Sequence, residues 1–125
     1  MAKTILYVLG VILTLVGVLG FIMPSPLLGL FEVNALHNVI HLASGIIFLG
    51  VAWMAPMQAV MTAKVFGVVY AVVAILGLVM SDGMLLGLIA VNMTDHILHI
   101  GLALLLLYAG FMGGARSSNS PMPMV

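Results

Sequence analysis

The chain has 125 residues, of which 65% are hydrophobic and 5% are charged, with zero formal net charge and a mean hydropathy of +1.40. A soluble domain has about a quarter of its residues charged, so this composition predicts a protein that lies in a lipid bilayer. The chain contains no cysteine, which excludes disulfides, thiolate metal sites and cysteine nucleophiles. It also has no basic patch that would bind nucleic acid. From its apolar composition, membrane lipid is its expected surroundings.

Four apolar segments predict membrane-spanning helices. In chain order they are Thr4–Ile22, Asn34–Met54, Thr62–Met80 and Asn92–Met112. Each has about the 20 residues that a helix needs to cross the hydrocarbon. The first is interpreted as a helix and not as a cleaved signal peptide, because its apolar run is too long and no small-residue cleavage site follows it. The expected fold class is therefore all-α, with a four-helix transmembrane domain over residues 1–112.

The segment after the fourth helix and the few charges of the chain predict its orientation. Residues 113–125 are small, polar and proline-spaced, which predicts a disordered tail. The basic residues Lys3, Lys64 and Arg116 fall in the N-terminus, the middle connection and this tail. Because basic residues concentrate on the cytoplasmic side of a membrane, both termini and the tail are expected there.

The sequence contains an internal repeat. "LLGLFEVN" at 27–34 matches "LLGLIAVN" at 85–92, and His41 corresponds to His99 at the same offset of 58 residues. We interpret the chain as two tandem helical hairpins, which cover about residues 4–54 and 62–112. Since each hairpin has two spans, both enter the membrane in the same direction, and a pseudo-two-fold axis is expected along the membrane normal.

Small residues line one face of the first and third predicted helices. They are Gly10, Thr14 and Gly17 in the first and Gly67, Ala71 and Ala74 in the third. Small residues at this spacing let two helices approach closely in lipid. Because both repeats have the same face, we expect it to pack within the bundle and not against another protein.

All four histidines fall in two related stretches, "VNALHNVIH" at 33–41 and "VNMTDHILH" at 91–99. At about 100° per residue, the strongly polar residues of each helix lie on one face about 120° wide. These residues are Asn34, His37, Asn38, His41 and Ser44 in the second helix and Asn92, Asp95, His96 and His99 in the fourth. Such a face cannot contact lipid without a penalty of several kcal/mol. The two faces are therefore expected to meet inside the bundle, on the outer side of the membrane.

The spacing of the polar residues predicts a metal site. Side chains three or four positions apart lie on the same side of a helix, so that two of them can bind one ion. Imidazole and carboxylate ligands suit zinc, copper, iron or nickel. The candidate ligands are His37, His41, Asp95, His96 and His99.

Three other interpretations of the same residues stay open. His41 and His99, the only histidines at equivalent positions of the repeats, could hold haem or chlorophyll from opposite sides. A proton relay could run through the histidines and Asp95. The polar residues could also form an interhelical hydrogen-bond network that binds no guest.

The asparagines of the motif have supporting roles in all of these interpretations. Asn34 and Asn92 are expected to cap the starts of their helices by accepting backbone N–H hydrogen bonds. Asn38 is expected to support the site without being essential to it. The chain has little mass outside the predicted spans, so we do not expect it to be an enzyme. Its apolar surface offers a docking face to other membrane subunits or to a second copy of the chain.

The paired motifs resemble those of a known family. "VN-x-x-HN-x-x-H" on the second helix and "VN-x-x-DH-x-x-H" on the fourth, together with small-residue first and third helices, are similar to a family of four-helix bacterial integral membrane proteins described as a domain of unknown function. The resemblance covers residues 1 to about 112. It implies a multi-pass protein of a bacterial inner membrane, of the cytoplasmic or thylakoid type, and no particular activity or cofactor.

Overall fold

Four α-helices form most of the described part of the chain, which in this computed structural model is residues 1–80 and 83–113. The helices are α1 at Ala2–Ile22, α2 at Ala35–Met54, α3 at Ala59–Val79 and α4 at Met93–Leu107. A π-helical stretch, Tyr108–Met112, extends α4, and a 3₁₀ turn, Pro56–Gln58, joins α2 to α3. With these extensions each helix is long and apolar enough to cross a membrane, which confirms the predicted four-helix fold and fits a multi-pass membrane protein.

Two parts of the predicted topology stay predictions. Of the tail predicted at residues 113–125, residues 114–125 lie outside the described residues, as do residues 81 and 82. The side of the membrane on which each terminus lies is likewise a prediction from the charges. The helix boundaries themselves agree with the sequence to within a few residues, because the apolar segments end at clear turn and proline signals.

A short β-hairpin between α3 and α4 was not predicted. β1, Met84–Leu85, pairs antiparallel with β2, Ile89–Ala90. The turn between them places Leu86 and Gly87 in the left-handed region, with φ of 54° and 68°, a conformation that glycine adopts readily and leucine rarely. These strands could not be predicted from the sequence, because their residues are continuously apolar and lack the apolar–polar alternation of a half-buried strand.

The helices pack as two hairpins, α1 against α2 and α3 against α4, with sparser contacts between the hairpins. Glycines permit this close approach. A methyl group added at Gly10 would lie 2.8 Å from Leu49 Cγ, and one added at Gly67 would lie 3.0 Å from Leu107 N. The small-residue faces of α1 and α3 therefore pack inside the bundle, as the sequence predicts.

The interior of the bundle changes from polar to apolar along α2. The first half of α2 buries His37, His41 and Ser44. Its second half buries Phe48 and Ala52, which belong to the apolar core. The polar cluster therefore lies toward the end of the bundle where the two inter-helix loops of the hairpins come together, and the apolar core fills the opposite end.

We expect Gly45→Ala to destabilise the first hairpin, because a methyl group there would lie 2.6 Å from Thr14 N and 2.9 Å from Gly10 O of α1. Overpacking of this kind costs about 1–3 kcal/mol in free energy of unfolding. Gly50→Ala on the same helix is the matched control, since its added methyl group meets nothing within 4 Å and gains up to about 1 kcal/mol of helix propensity. Reversible unfolding of both variants in mixed micelles, followed by circular dichroism, measures the difference. Equal free energies of unfolding for Gly45→Ala and Gly50→Ala would contradict the close packing of Gly45 against α1.

Candidate metal centre

The two helices that bear histidines begin with the same cap. Asn34 Oδ1 accepts a hydrogen bond from His37 N at 3.0 Å, and Asn92 Oδ1 accepts one from Asp95 N at 2.9 Å. The N-cap interaction satisfies a backbone N–H group that the helix itself leaves free. These caps are the ones predicted from the sequence, and they fix where the first turns of α2 and α4 begin.

The same asparagines also tie the two hairpins together. Asn34 Nδ2 donates to Leu88 O in the loop of the second hairpin, and Asn92 Nδ2 donates to Leu30 O in the loop of the first, both at 2.9 Å. Leu30 and Leu88 are themselves 58 residues apart, so the two contacts are equivalent in the internal repeat. They agree with the predicted duplication, which stays a prediction together with its pseudo-two-fold axis.

Asp95 connects the two hairpins through hydrogen bonds and is not one of the clustered histidine-site residues. Its Oδ2 accepts hydrogen bonds from Asn92 N at 2.9 Å and from Glu32 N at 3.0 Å. The first bond completes a capping box, and the second holds the loop of the first hairpin against α4. Asp95 is completely buried, and its Oδ1 has no hydrogen-bond partner among the described residues. Its assignment as a metal ligand therefore stays a prediction.

Three of the four histidines converge in the interior of the bundle. One ring nitrogen of each of His37, His41 and His99 lies within 4.8 Å of the others. The side chains are 2%, 2% and 3% exposed, respectively, so no ring is in contact with lipid. Two of these histidines come from α2 and one from α4, and the cluster therefore spans both hairpins.

The hydrogen bonds of His37 determine which of its nitrogens faces the cluster. His37 Nδ1 lies 2.7 Å from Ala90 O, and because a carbonyl oxygen only accepts, Nδ1 is the protonated nitrogen. Nε2 of the neutral ring then has a free lone pair, and it lies 3.2 Å from His41 Nε2. Metal-binding histidines are usually held in this way, with one nitrogen donating to a carbonyl or carboxylate and the other facing the ion.

His41 and His99, the two histidines shared by the repeats, lie near each other as predicted. Their ring centroids are 6.3 Å apart. The Nδ1 atom of each is buried and has no hydrogen-bond partner among residues 1–80 and 83–113. A buried ring nitrogen without a partner costs about 1–3 kcal/mol, so each of these atoms is available to a guest.

His96, the remaining predicted ligand, lies outside this cluster. It is 7% exposed, and a methyl group added at Gly77 of α3 would collide with its ring. Its repeat equivalent, Asn38, is packed in the same way against Gly20 of α1. Both side chains therefore fill the space beside a glycine of the preceding helix, and neither belongs to the group of three histidines.

Two residues beside the cluster were not predicted as a pair. Tyr70 of α3 donates a hydrogen bond to Ser44 Oγ at 3.1 Å, and its ring centroid is 6.0 Å from that of His99. Tyr70 and Ser44 line a cavity of about 150 Å³, and His37, His41 and His99 lie at one end of it. The only signal for Tyr70 in the sequence is that it is the single tyrosine of α3, which does not show the direction of its side chain.

Comparison with known proteins identifies a family. No curated protein and no solved structure gives a significant match to the chain. A family model does match, over residues 3–112. Except for the first residue of α1, this span contains all four helices, both asparagine caps and the three clustered histidines. The chain therefore belongs to the family described as a domain of unknown function, DUF4383.

Proposed function

We propose that the protein binds one transition-metal ion inside the membrane through His37, His41 and His99. The observation that carries this proposal is the convergence of three buried ring nitrogens within 4.8 Å. The bond from His37 Nδ1 to Ala90 O supports it further, because it already directs the lone pair of Nε2 toward the other two rings.

The geometry is close to that of a three-histidine metal site. The three ring nitrogens lie within 4.8 Å of one another, so that a central point exists no more than about 2.8 Å from all of them, whereas metal–imidazole bonds measure about 2.0–2.1 Å. Inward movements of no more than about 0.7 Å would therefore bring all three rings into bonding distance. Three protein ligands leave a fourth position open, as in zinc sites that exchange a ligand. Imidazole ligands suit zinc, copper, iron and nickel.

The same geometry favours an ion over haem or chlorophyll. The cavity that ends on the histidines measures about 150 Å³, and an engineered cavity of that size holds a single benzene ring. A tetrapyrrole has four five-membered rings around its metal and is therefore too large for this cavity. The ring of His37 also lies 4.4 Å from that of His41 and 5.8 Å from that of His99, in the space that a macrocycle between these two would require.

Titration of the protein with Co(II) tests the proposal. The full chain, purified in detergent micelles and stripped of metal with EDTA, is expected to bind one Co(II) per chain and to develop visible d–d absorption of a low-symmetry nitrogen site. Zn(II) is expected to displace the Co(II) and abolish this absorption. Binding of less than one equivalent, or Co(II) absorption that equals that of the ion in buffer with empty micelles, would overturn the proposal.

A second candidate is that the protein is a non-catalytic subunit of a larger membrane complex. The observation that favours it is the set of bonds between hairpins, from Asn34 to Leu88 O, from Asn92 to Leu30 O and from Glu32 N to Asp95. These bonds give the small bundle a fixed shape whether or not an ion is present. On this hypothesis the protein binds no metal in the titration above, and it copurifies in fixed stoichiometry with another membrane protein.

A further inference from the structure

We propose that the cavity beside the histidines binds a small, uncharged, hydroxylated aromatic ring that enters from the lipid. The cavity measures about 150 Å³, the volume at which an apolar protein cavity accepts one benzene-sized ring. This ligand is distinct from the metal ion, and its binding does not require the ion. The proposal follows from three features of the cavity, which are its walls, its opening and its polar end.

The walls of the cavity are apolar and come from three elements. α2 contributes Ile40, and α3 contributes Phe66, Val69 and Val73. The unpredicted β-hairpin closes one end with Leu85 and Ile89. Aliphatic and aromatic walls of this kind favour an apolar ring over water, because water would find few hydrogen-bond partners there.

The cavity opens toward the lipid between α2 and α3. Val69 lines the cavity, yet it is 50% exposed on the outer surface of the bundle. Contacts between α2 and α3 are sparse, so no continuous wall separates the cavity from that surface. In a membrane this surface faces acyl chains, through which uncharged apolar molecules diffuse and charged ones do not. The route of entry therefore selects an uncharged, lipid-soluble ligand.

The polar end of the cavity selects a hydroxyl group. In the metal-free protein His37 Nε2 can only accept, so His41 Nε2 donates to it at 3.2 Å and His41 Nδ1 has a free lone pair. That lone pair requires a donor. If an ion bound to Nε2 of both His37 and His41, His41 Nδ1 would carry the proton and would require an acceptor. A hydroxyl group meets both requirements, whereas a carbonyl group can only accept.

Fluorine NMR of the EDTA-treated protein in lipid nanodiscs tests this proposal with 4-fluorophenol as the probe. The wild-type protein is expected to shift and broaden the fluorine signal in a saturable way. Val69→Phe, which places a ring in the cavity, is expected to weaken binding at least tenfold. Val68→Phe is the matched control, because Val68 is 51% exposed on the neighbouring position of α3 and does not line the cavity. This control is expected to bind as the wild type does.

Two further measurements make the test decisive. Fluorobenzene, which lacks the hydroxyl group, is expected to bind about tenfold more weakly than 4-fluorophenol, as the loss of one buried hydrogen bond implies. Ile40→Phe blocks the same cavity from α2, and it replaces Val69→Phe if that variant does not fold. Equal loss of binding in the Val68 and Val69 variants, equal binding of both probes, or no saturable signal would each overturn the proposal. Val69→Phe is expected to bind Co(II) normally, so failure of this proposal is distinguishable from failure of the metal site.

Discussion

Replacing His41 or His99 with asparagine is expected to abolish metal binding, whereas the same replacement at His96 is expected to leave it unchanged. His41 and His99 each supply one of the three converging nitrogens, and removal of either leaves two ligands. Loss of an outer-shell hydrogen bond to a ligand already lowers metal affinity about 10–100-fold, so loss of a ligand should lower it by more than about 100-fold. Co(II) titration of the three variants, with zinc competition to measure affinity, gives the comparison.

His96→Asn is a closely matched control for this experiment. His96 is buried, lies on the same helix as His99 and corresponds in the repeat to an asparagine, Asn38. If His96→Asn reduced Co(II) affinity as strongly as His99→Asn, His96 would have to be a ligand and the three-histidine assignment would be wrong. If all three variants bound Co(II) like the wild type, the ion would not bind at the cluster at all. Asn38→Ala is expected to weaken binding only slightly, because Asn38 packs beside the site without facing it.

Replacing Asp95 with alanine is expected to destabilise the fold. Asp95 Oδ2 accepts from both Glu32 N and Asn92 N, and without it two backbone N–H groups lose their acceptor. Each loss costs about 1–3 kcal/mol, so we expect a decrease of about 2–6 kcal/mol in the free energy of unfolding. Unfolding in mixed micelles, monitored by circular dichroism, measures this decrease.

Two companion variants separate the structural role of Asp95 from a metal-binding role. Glu32→Ala removes an exposed side chain but keeps the backbone N–H group that Asp95 binds, so it should change stability by less than about 0.5 kcal/mol. Asp95→Asn keeps an oxygen that can accept both bonds, and it should fold and bind Co(II) like the wild type. Loss of Co(II) binding in a folded Asp95→Asn protein would restore Asp95 to the ligand set predicted from the sequence.

The architecture and the general position of the polar site could be predicted from the amino-acid sequence. Apolar segments of about 20 residues give the spans, since no other structure satisfies the backbone of such segments in lipid. The position of the strongly polar residues of α2 and of α4 on one face of each helix requires that these two faces turn inward. The caps at Asn34 and Asn92 could be predicted as well, because capping depends only on residues within one helical turn.

Which side chains share the site depends on the tertiary structure. Periodicity places residues on a face about 120° wide but does not give the rotation of the helix. Within that width His99 faces the cluster, and His96, three residues earlier, packs beside Gly77 instead. The contribution of Tyr70, from a helix with no polar face, also depends on this rotation. So does the cavity, which forms between elements that are distant in sequence.

His37 and Asp95 occupy equivalent positions of the repeat, but their roles in the tertiary structure differ. Each contacts the equivalent loop residue of the opposite hairpin: Asp95 accepts from Glu32 N, and His37 donates to Ala90 O. Glu32 and Ala90 are also 58 residues apart. A carboxylate uses its oxygens as acceptors and serves the loop and the helix cap together, whereas an imidazole uses one nitrogen for the carbonyl group and has a second left over. That second nitrogen completes the histidine cluster, and because it depends on a contact 53 residues away along the chain, the spacing of residues within the motif could not reveal it.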